Sequence, residues 1–333
     1  MKSLLAYSKD HSLAGSKSVS PFWVMVRKEV ADQIHSWRFI IMALLILLTW
    51  IGSMYVSMSN IRGAMENVQD HDSLYFYLKL LTITDRSLPP FHVFIGFLGP
   101  LLGIALGFDA INSEQSNGTL IRLMAQPVYR DSLLNAKFTG GLIVISILFF
   151  SLNMLMVGGG MLLTGVHIEG AEFVRILCFV VLSIIYVAFW LNLAILLSVK
   201  FRQSATSALT AIAIWLFFTV FYPILVQIIL KGILPDPSML GPEQMAIYNE
   251  IRHNFLVVIP SQMYTDGTTT LLMPVVRSMG PLTMEQMAMA VPTPLSLRES
   301  LLITWPQVSG LIAATVACFA VSYWLFMRRE IRT

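Results

Sequence analysis

Six stretches of this sequence are so apolar, and so long, that water cannot be the solvent around the folded chain. They begin near Phe39, Phe91, Leu142, Ile176, Ala205 and Leu301, and each supplies the about 20 residues a helix needs to cross a ~30 Å hydrocarbon layer. Hydrocarbon offers backbone N–H and C=O groups no partner, so each run must satisfy its own hydrogen bonds as a helix. Composition agrees: 56% of residues are hydrophobic and only 12% charged, where a soluble domain carries about 25% charged residues. The fold class expected is therefore an all-α polytopic membrane protein with six transmembrane helices, at about 38–59, 91–110, 138–165, 174–199, 204–230 and 301–327. An even number of spans puts both termini on one side.

The basic residues say which side. Lys2, Lys9, Lys17, Arg27, Lys28, Arg38, Arg122, Arg130, Lys137, Lys200, Arg202, Arg328, Arg329 and Arg332 collect on one face, and fewer, diluted by most of the acids, fall on the other. Positive charge is retained inside, so both termini are expected in the cytoplasm of a multi-pass protein of the cell membrane. Residues 1–19 read as a polar cytoplasmic tail. They lack an apolar core and a small-residue cleavage site, so the first span is expected to serve as the targeting signal. Residues 328–333 form the cytoplasmic C-terminus. Cys178 and Cys318 fall inside spans, where they pack as small apolar groups.

Between the spans the chain carries three organised segments. Residues 20–37 open with Ser20-Pro21, a cap followed by a proline at the first helical position. Trp23, Val26, Val30, Ile34 and Trp37 share one face and Lys28, Glu29, Asp32 and His35 the other, the pattern of a helix lying along a membrane surface. Residues 111–137 form a polar loop in which Gly118-Thr119 supplies a turn and a capping hydroxyl, Leu120, Leu123 and Met124 share one face of a short helix, and Pro127 ends it. Such a helix, tethered between two spans, works as a lever. Residues 231–300 form the largest external segment, with a helix from Gly241 to Phe255, and residues 60–90 a smaller one with an interfacial helix near Leu74 to Leu81. Within the second span Gly99, Gly103 and Gly107 make a ridge without side chains, for close packing of another helix or for a moving interface. Pro223 should kink the fifth span.

The order Asp109, Ile111, Glu114, Gly118-Thr119-Leu120, Leu123, Pro127, Arg130, Lys137 resembles the cytoplasmic coupling loop of permease subunits of ATP-binding cassette transporters, in the type 2 export family. Val26 to Phe39 is similar to the elbow helix that precedes the first span there. The resemblance implies a cytoplasmic coupling helix between spans two and three, an N-terminal amphipathic elbow helix and an extracytoplasmic helical segment before the last span. It also implies two ATPase subunits docked beneath two permease subunits, identical or not, with surrounding membrane lipids and no nucleic acid. Glu114 and Arg130 would make polar contacts with the ATPase, Gly118 and Thr119 would shape the turn, and Leu120, Leu123 and Met124 would seat in its groove. Arg122, Arg27 and Glu29 would lie beside them. The cargo class would be a lipid, peptide, drug-like molecule or polysaccharide.

The residues also exclude several chemistries. There is no Gly-x-x-x-x-Gly-Lys-Ser/Thr phosphate cradle, no His-Glu-x-x-His and no Gly-x-Ser-x-Gly, so no enzymatic activity is expected and no cofactor in this chain; ATP and Mg would be bound by the partner ATPase. Nor do the spans place an ionisable group at mid-membrane depth, as an ion-driven carrier would require. Energy must then arrive by contact. Two other readings stay open: a membrane scaffold or sensor that recruits a cytoplasmic partner without transport, and a permease serving copper-enzyme maturation, as some relatives in the resembled family do. The second would draw on Met239, Met245, Met263, Met273, Met279, Met284, Met287 and Met289 in the external segment, since thioethers are soft ligands for Cu(I). Plain packing explains the same methionines.

Overall fold

The computed structural model describes residues 20–67, 75–82, 88–119, 130–233, 241–274 and 295–328. Within them the chain is helical, without strands. In order come α1 (Pro21–Ile34), α2 (Trp37–Asn67), α3 (Phe76–Thr82), α4 (Phe91–Gly107), α5 (Asn112–Ser116), α6 (Arg130–Thr164), α7 (Gly170–Lys200), α8 (Ser204–Leu216), a π-helical turn (Phe217–Phe221), α9 (Tyr222–Ile233), α10 (Pro242–Leu256), α11 (Pro260–Leu272) and α12 (Leu297–Arg328). Among the described residues six segments are long and apolar enough to cross a membrane: Trp37–Ser59, Phe91–Ser116, Asp131–Thr164, Gly170–Lys200, Ser204–Ile233 and Leu297–Arg328. The third begins two turns earlier than expected, because Asp131 to Lys137 continue the helix instead of the loop. Trp37 opens α2 and does not close α1.

The spans divide by burial. In the second, third and fourth, 61%, 50% and 67% of the most apolar window is covered by the rest of the chain, against 11%, 11% and 17% in the first, fifth and sixth. The fourth span, α7, is the axis of the bundle: Phe179, Tyr186, Trp190, Leu191 and Ala194 are inaccessible, and α4, α6, α11 and α12 pack around it.

The glycine ridge of α4 explains the closest of these contacts. A Cβ on Gly103 would lie 2.7 Å from the Val187 carbonyl oxygen and 2.8 Å from the Leu191 nitrogen, and one on Gly107 would lie 2.6 Å from the Leu191 carbonyl oxygen. Two helix backbones touch here, so the ridge is spent on packing within this chain. Pro100 lies on the same helix. It cannot donate to the carbonyl of Gly96, and the Tyr186 hydroxyl donates there instead, at 2.9 Å. Tyr264 of α11 stacks on Tyr186 with ring centres 4.4 Å apart and donates to the His92 carbonyl at 3.1 Å. Thus α11 is wedged into the bundle between α4 and α7.

The first two turns of α7 hold two further helices through one acid and one base. Glu172 accepts the Tyr77 amide at 3.2 Å, in the first turn of α3, where a carboxylate also meets the positive end of the helix dipole. Arg175, 1% exposed, donates to the carbonyls of Leu271 at 3.2 Å and Leu295 at 2.6 Å and to Ser300 Oγ at 2.8 Å. It therefore ties the C-terminal end of α11 to the start of α12. The helix expected at an interface, α3, is instead a plug: Tyr77, Leu78, Leu80 and Leu81 are at most 2% exposed. Gly160 of α6 makes room for the Tyr77 ring, which would lie 2.8 Å from a Cβ, and α6 runs unbroken through Gly158-Gly159-Gly160.

Pro223 acts through a π turn. Its ring would clash with the carbonyl of residue 219 in a regular helix. The backbone takes up one extra residue across Phe217–Phe221, and the Tyr222 N–H reaches back five residues to the Phe217 carbonyl.

Candidate coupling site

At the end of the bundle where α4 finishes and α6 begins, four charged side chains converge from three helices. α1 lies across the start of α6, and it approaches closely because residue 140 is glycine: a Cβ there would come within 2.9 Å of the Glu29 Cβ. Ser20 occupies the cap position of α1 with its hydroxyl unused; its carbonyl accepts the amides of Trp23 and Val24.

α1 turns one acid inward together with an apolar residue: Glu29 is 8% exposed and Val26 2%, while Trp23 is 55% exposed and Ile34 41%. Lys28, Asp32 and His35 remain exposed, and the one carboxylate that is buried needs charged partners.

Those partners are on α5 and α6. Lys137 Nζ lies 2.9 Å from Glu29 Oε1 and 3.6 Å from Glu114 Oε1, and Lys28 reaches the same Glu114 oxygen at 3.9 Å. The Lys137 side chain is 6% exposed, which an ammonium tolerates only when paired. Glu114 also receives the Thr119 hydroxyl on its carboxylate and on its backbone carbonyl. Thr119 thus closes the turn behind it, across Gly118, whose φ of 68° needs a residue without a Cβ. A second pair, Arg38 with Asp109, ties the start of α2 to the end of α4, and Arg38 also sits 4.6 Å above the Phe108 ring. Ser198 Oγ accepts the amides of Ile111 and Asn112 at 2.9 and 3.2 Å, and Ser204 donates to Asn112 Oδ1 at 3.0 Å. The start of the loop is consequently pinned to the link between α7 and α8.

Of the residues singled out in the sequence, Glu114, Gly118, Thr119 and Glu29 meet at this junction. Arg27 is exposed on α1. Leu120, Arg122, Leu123 and Met124 lie outside the described residues, and Arg130 opens α6. Gly99, Gly103 and Gly107 sit apart, on the α4–α7 seam. The pairing of Lys137 with Glu29 is not legible in the sequence, because 108 residues separate them; the one hint is an acid on the polar face of a helix otherwise expected to lie free. Of the external methionines, Met239, Met279, Met284, Met287 and Met289 lie outside the described residues. Met263 packs its sulfur and methyl against Gly310, 3.1 Å from where a Cβ would stand. Among the described residues no three His, Cys, Asp or Glu side chains group as metal ligands would.

Comparison with known proteins identifies relatives of the chain. A family model described as an ABC-2 family transporter protein matches residues 23–331. Two curated relatives are each described as "Probable ABC transporter permease protein NosY". The one from Stutzerimonas stutzeri is 29% identical over 135 residues, 40% of this chain and 49% of the relative. The one from Pseudomonas aeruginosa is 25% identical over 217 residues, 62% of this chain and 70% of the relative. The chain thus spans about half the length of the first relative and 70% of the second.

Proposed function

Since the chain belongs to the ABC-2 family of transporter proteins, as a permease subunit of an ATP-binding cassette transporter, we propose that the charged junction of α1, α5 and α6 is where a separate ATPase delivers its work. The basic end of the bundle is then cytoplasmic. Two ATPase subunits, which bind ATP and Mg, dock beneath this chain and a second permease subunit. The cargo is exported, and its class is that of the family: lipid, peptide, drug-like molecule or polysaccharide.

The observation that supports this reading is Lys137. One buried ammonium holds the carboxylates of α1 and of the loop before residue 120, so a load on that loop moves α1 and the third span with it. The loop continues directly from the second span, Arg38–Asp109 ties that end to the first span, and the glycine seam, with backbones in contact, hands the load to α7. A rigid path of this kind suits mechanical coupling better than a passive linker, because close-packed interiors transmit displacement and do not absorb it.

The test is co-expression with a candidate ABC ATPase and measurement of ATP hydrolysis and transport in the assembled complex. The double variant Gly118→Pro/Arg122→Glu should insert normally, yet lose most stimulated hydrolysis. Unchanged coupled turnover would overturn the assignment, and an ATPase that binds but moves nothing across the membrane would favour the scaffold reading.

A further inference from the structure

The end of the molecule opposite the junction contains a small lobe that belongs to no other part of the core. Val226 and Leu230 of α9, Tyr248 and Leu256 of α10 and Ile259 form a cluster of their own, with Phe218, Tyr222 and Ile251 against it. α9 packs on the π turn and on α10, and the Tyr222 hydroxyl donates to the Phe255 carbonyl at 3.2 Å. The next helix, α11, belongs to the main core through Tyr264, Leu271 and Leu272. Two backbone joints therefore bound the lobe: the π turn at 217–221, where an extra residue loosens the helical register, and the short link Val257 to Ile259 between α10 and α11.

Across the second joint sits one acid facing one imidazole. Asp266 of α11 has a side chain 13% exposed, and His253, in the last turn of α10, places Nε2 3.8 Å from its Oδ2. The other oxygen accepts the Gln262 amide at 2.8 Å. Oδ2 itself is buried without a hydrogen bond, and the His253 side chain is 35% exposed, within reach of solvent protons. We propose that His253 and Asp266 form a proton-operated latch that docks the α9–α10 lobe on the bundle when protonated and releases it when deprotonated.

The sign follows from burial. Burial pushes the Asp266 carboxyl above the usual carboxylate range, against the opposing pull of the Gln262 amide and the His253 charge. A proton held more firmly in the docked form stabilises docking at low pH and is given up as pH rises. With His253 neutral and Asp266 ionised, docking buries a carboxylate oxygen that has no partner, the costliest of the four protonation states. A proton on either group relieves it.

Other charges near these elements are engaged elsewhere or solvated. Glu250 and Arg252 of α10, Lys231 of α9, and Arg298 and Glu299 at the start of α12 are exposed. Glu172 and Arg175 of α7 are committed to α3 and to the α11–α12 junction, and His92 of α4 bonds the Leu81 carbonyl. Lys79 of α3 is half-buried. The charge that bears on Asp266 is that of His253.

Amide hydrogen exchange of the full chain in lipid nanodiscs, read by mass spectrometry at pH 5.5 and pH 8 and divided by the intrinsic rates, tests this without any cargo or ATPase. Protection of α10 should fall about fivefold on going to the higher pH, the effect of losing one partly exposed ion pair, while α7 stays unchanged. Asp266→Asn should keep α10 protected at both pH values and so abolish the response. A wild-type α10 indifferent to pH, or an Asp266→Asn variant that still responds, would overturn the latch. Where Asp266→Asn assembles poorly, the comparison of the wild type at the two pH values still decides.

Discussion

Replacing Lys137 with methionine removes the one cation that both Glu29 and Glu114 approach most closely, and keeps the length of the side chain. The ammonium is 6% exposed and its two carboxylates 11% and 16%, so water cannot fully take over its role. Deleting one member of a buried pair costs about 3–5 kcal/mol, because the remaining charge stays buried without compensation; here two carboxylates would face each other across the same space. The junction holds α1 to α6, and the apolar contribution to that contact is chiefly Val26, 2% exposed, worth about 1.5–3 kcal/mol. The electrostatic loss is at least as large as the apolar gain, so α1 should detach while the bundle stays folded. Exchange of α1 amides should accelerate by a factor on the order of 10²–10⁴, the equivalent of about 3–5 kcal/mol. Adding Glu29→Gln and Glu114→Gln to Lys137→Met should restore most of the protection, since neutral amides need no counter-ion. If α1 exchange in Lys137→Met matched the wild type, or if the neutral triple variant were worse than the single, the argument from buried charge would fail.

Further outcomes follow from single contacts. Gly103→Val should lower the melting temperature of the detergent-solubilised chain by several degrees, since overpacking typically costs about 1–3 kcal/mol and the obstructing atoms belong to the α7 backbone; Gly158→Ala, which meets nothing within 4 Å, should not. Arg175→Met leaves the carbonyls of Leu271 and Leu295 without their donor, at about 1–3 kcal/mol for each unsatisfied group, and limited proteolysis should then cut between α11 and α12 faster than elsewhere. Pro223→Ala returns an N–H that can bond residue 219, so a structure of that variant should show Phe217–Phe221 as regular α-helix. Persistence of the π turn would mean that packing, not the proline ring, imposes it.

The spans were legible in the sequence because hydrocarbon leaves a backbone only one solution, and length with apolarity identifies it. The turn at Gly118 and the helix start at Pro21 were equally visible, since glycine and proline act on their own φ angles. Pro223 announced a disturbance in the fifth span but not its form, which depends on how one extra residue fits among Phe217 to Phe221.

What the sequence could not decide was which face meets which. Hydropathy is the same for a helix bathed in lipid and a helix at the centre of a bundle, so α2 and α7 read alike although one is covered by little of the chain and the other by most of it. The glycine ridge of α4 could have served another subunit; only the approach of the α7 backbone assigned it inward. Glu29 read as one residue on the polar face of a surface helix, and nothing in the sequence marked Glu172 or Arg175. Each proved to be a clasp between elements far apart in the chain, because a charge in a bundle of low dielectric is held by its partner, and a partner 108 residues away exists only once the chain has folded.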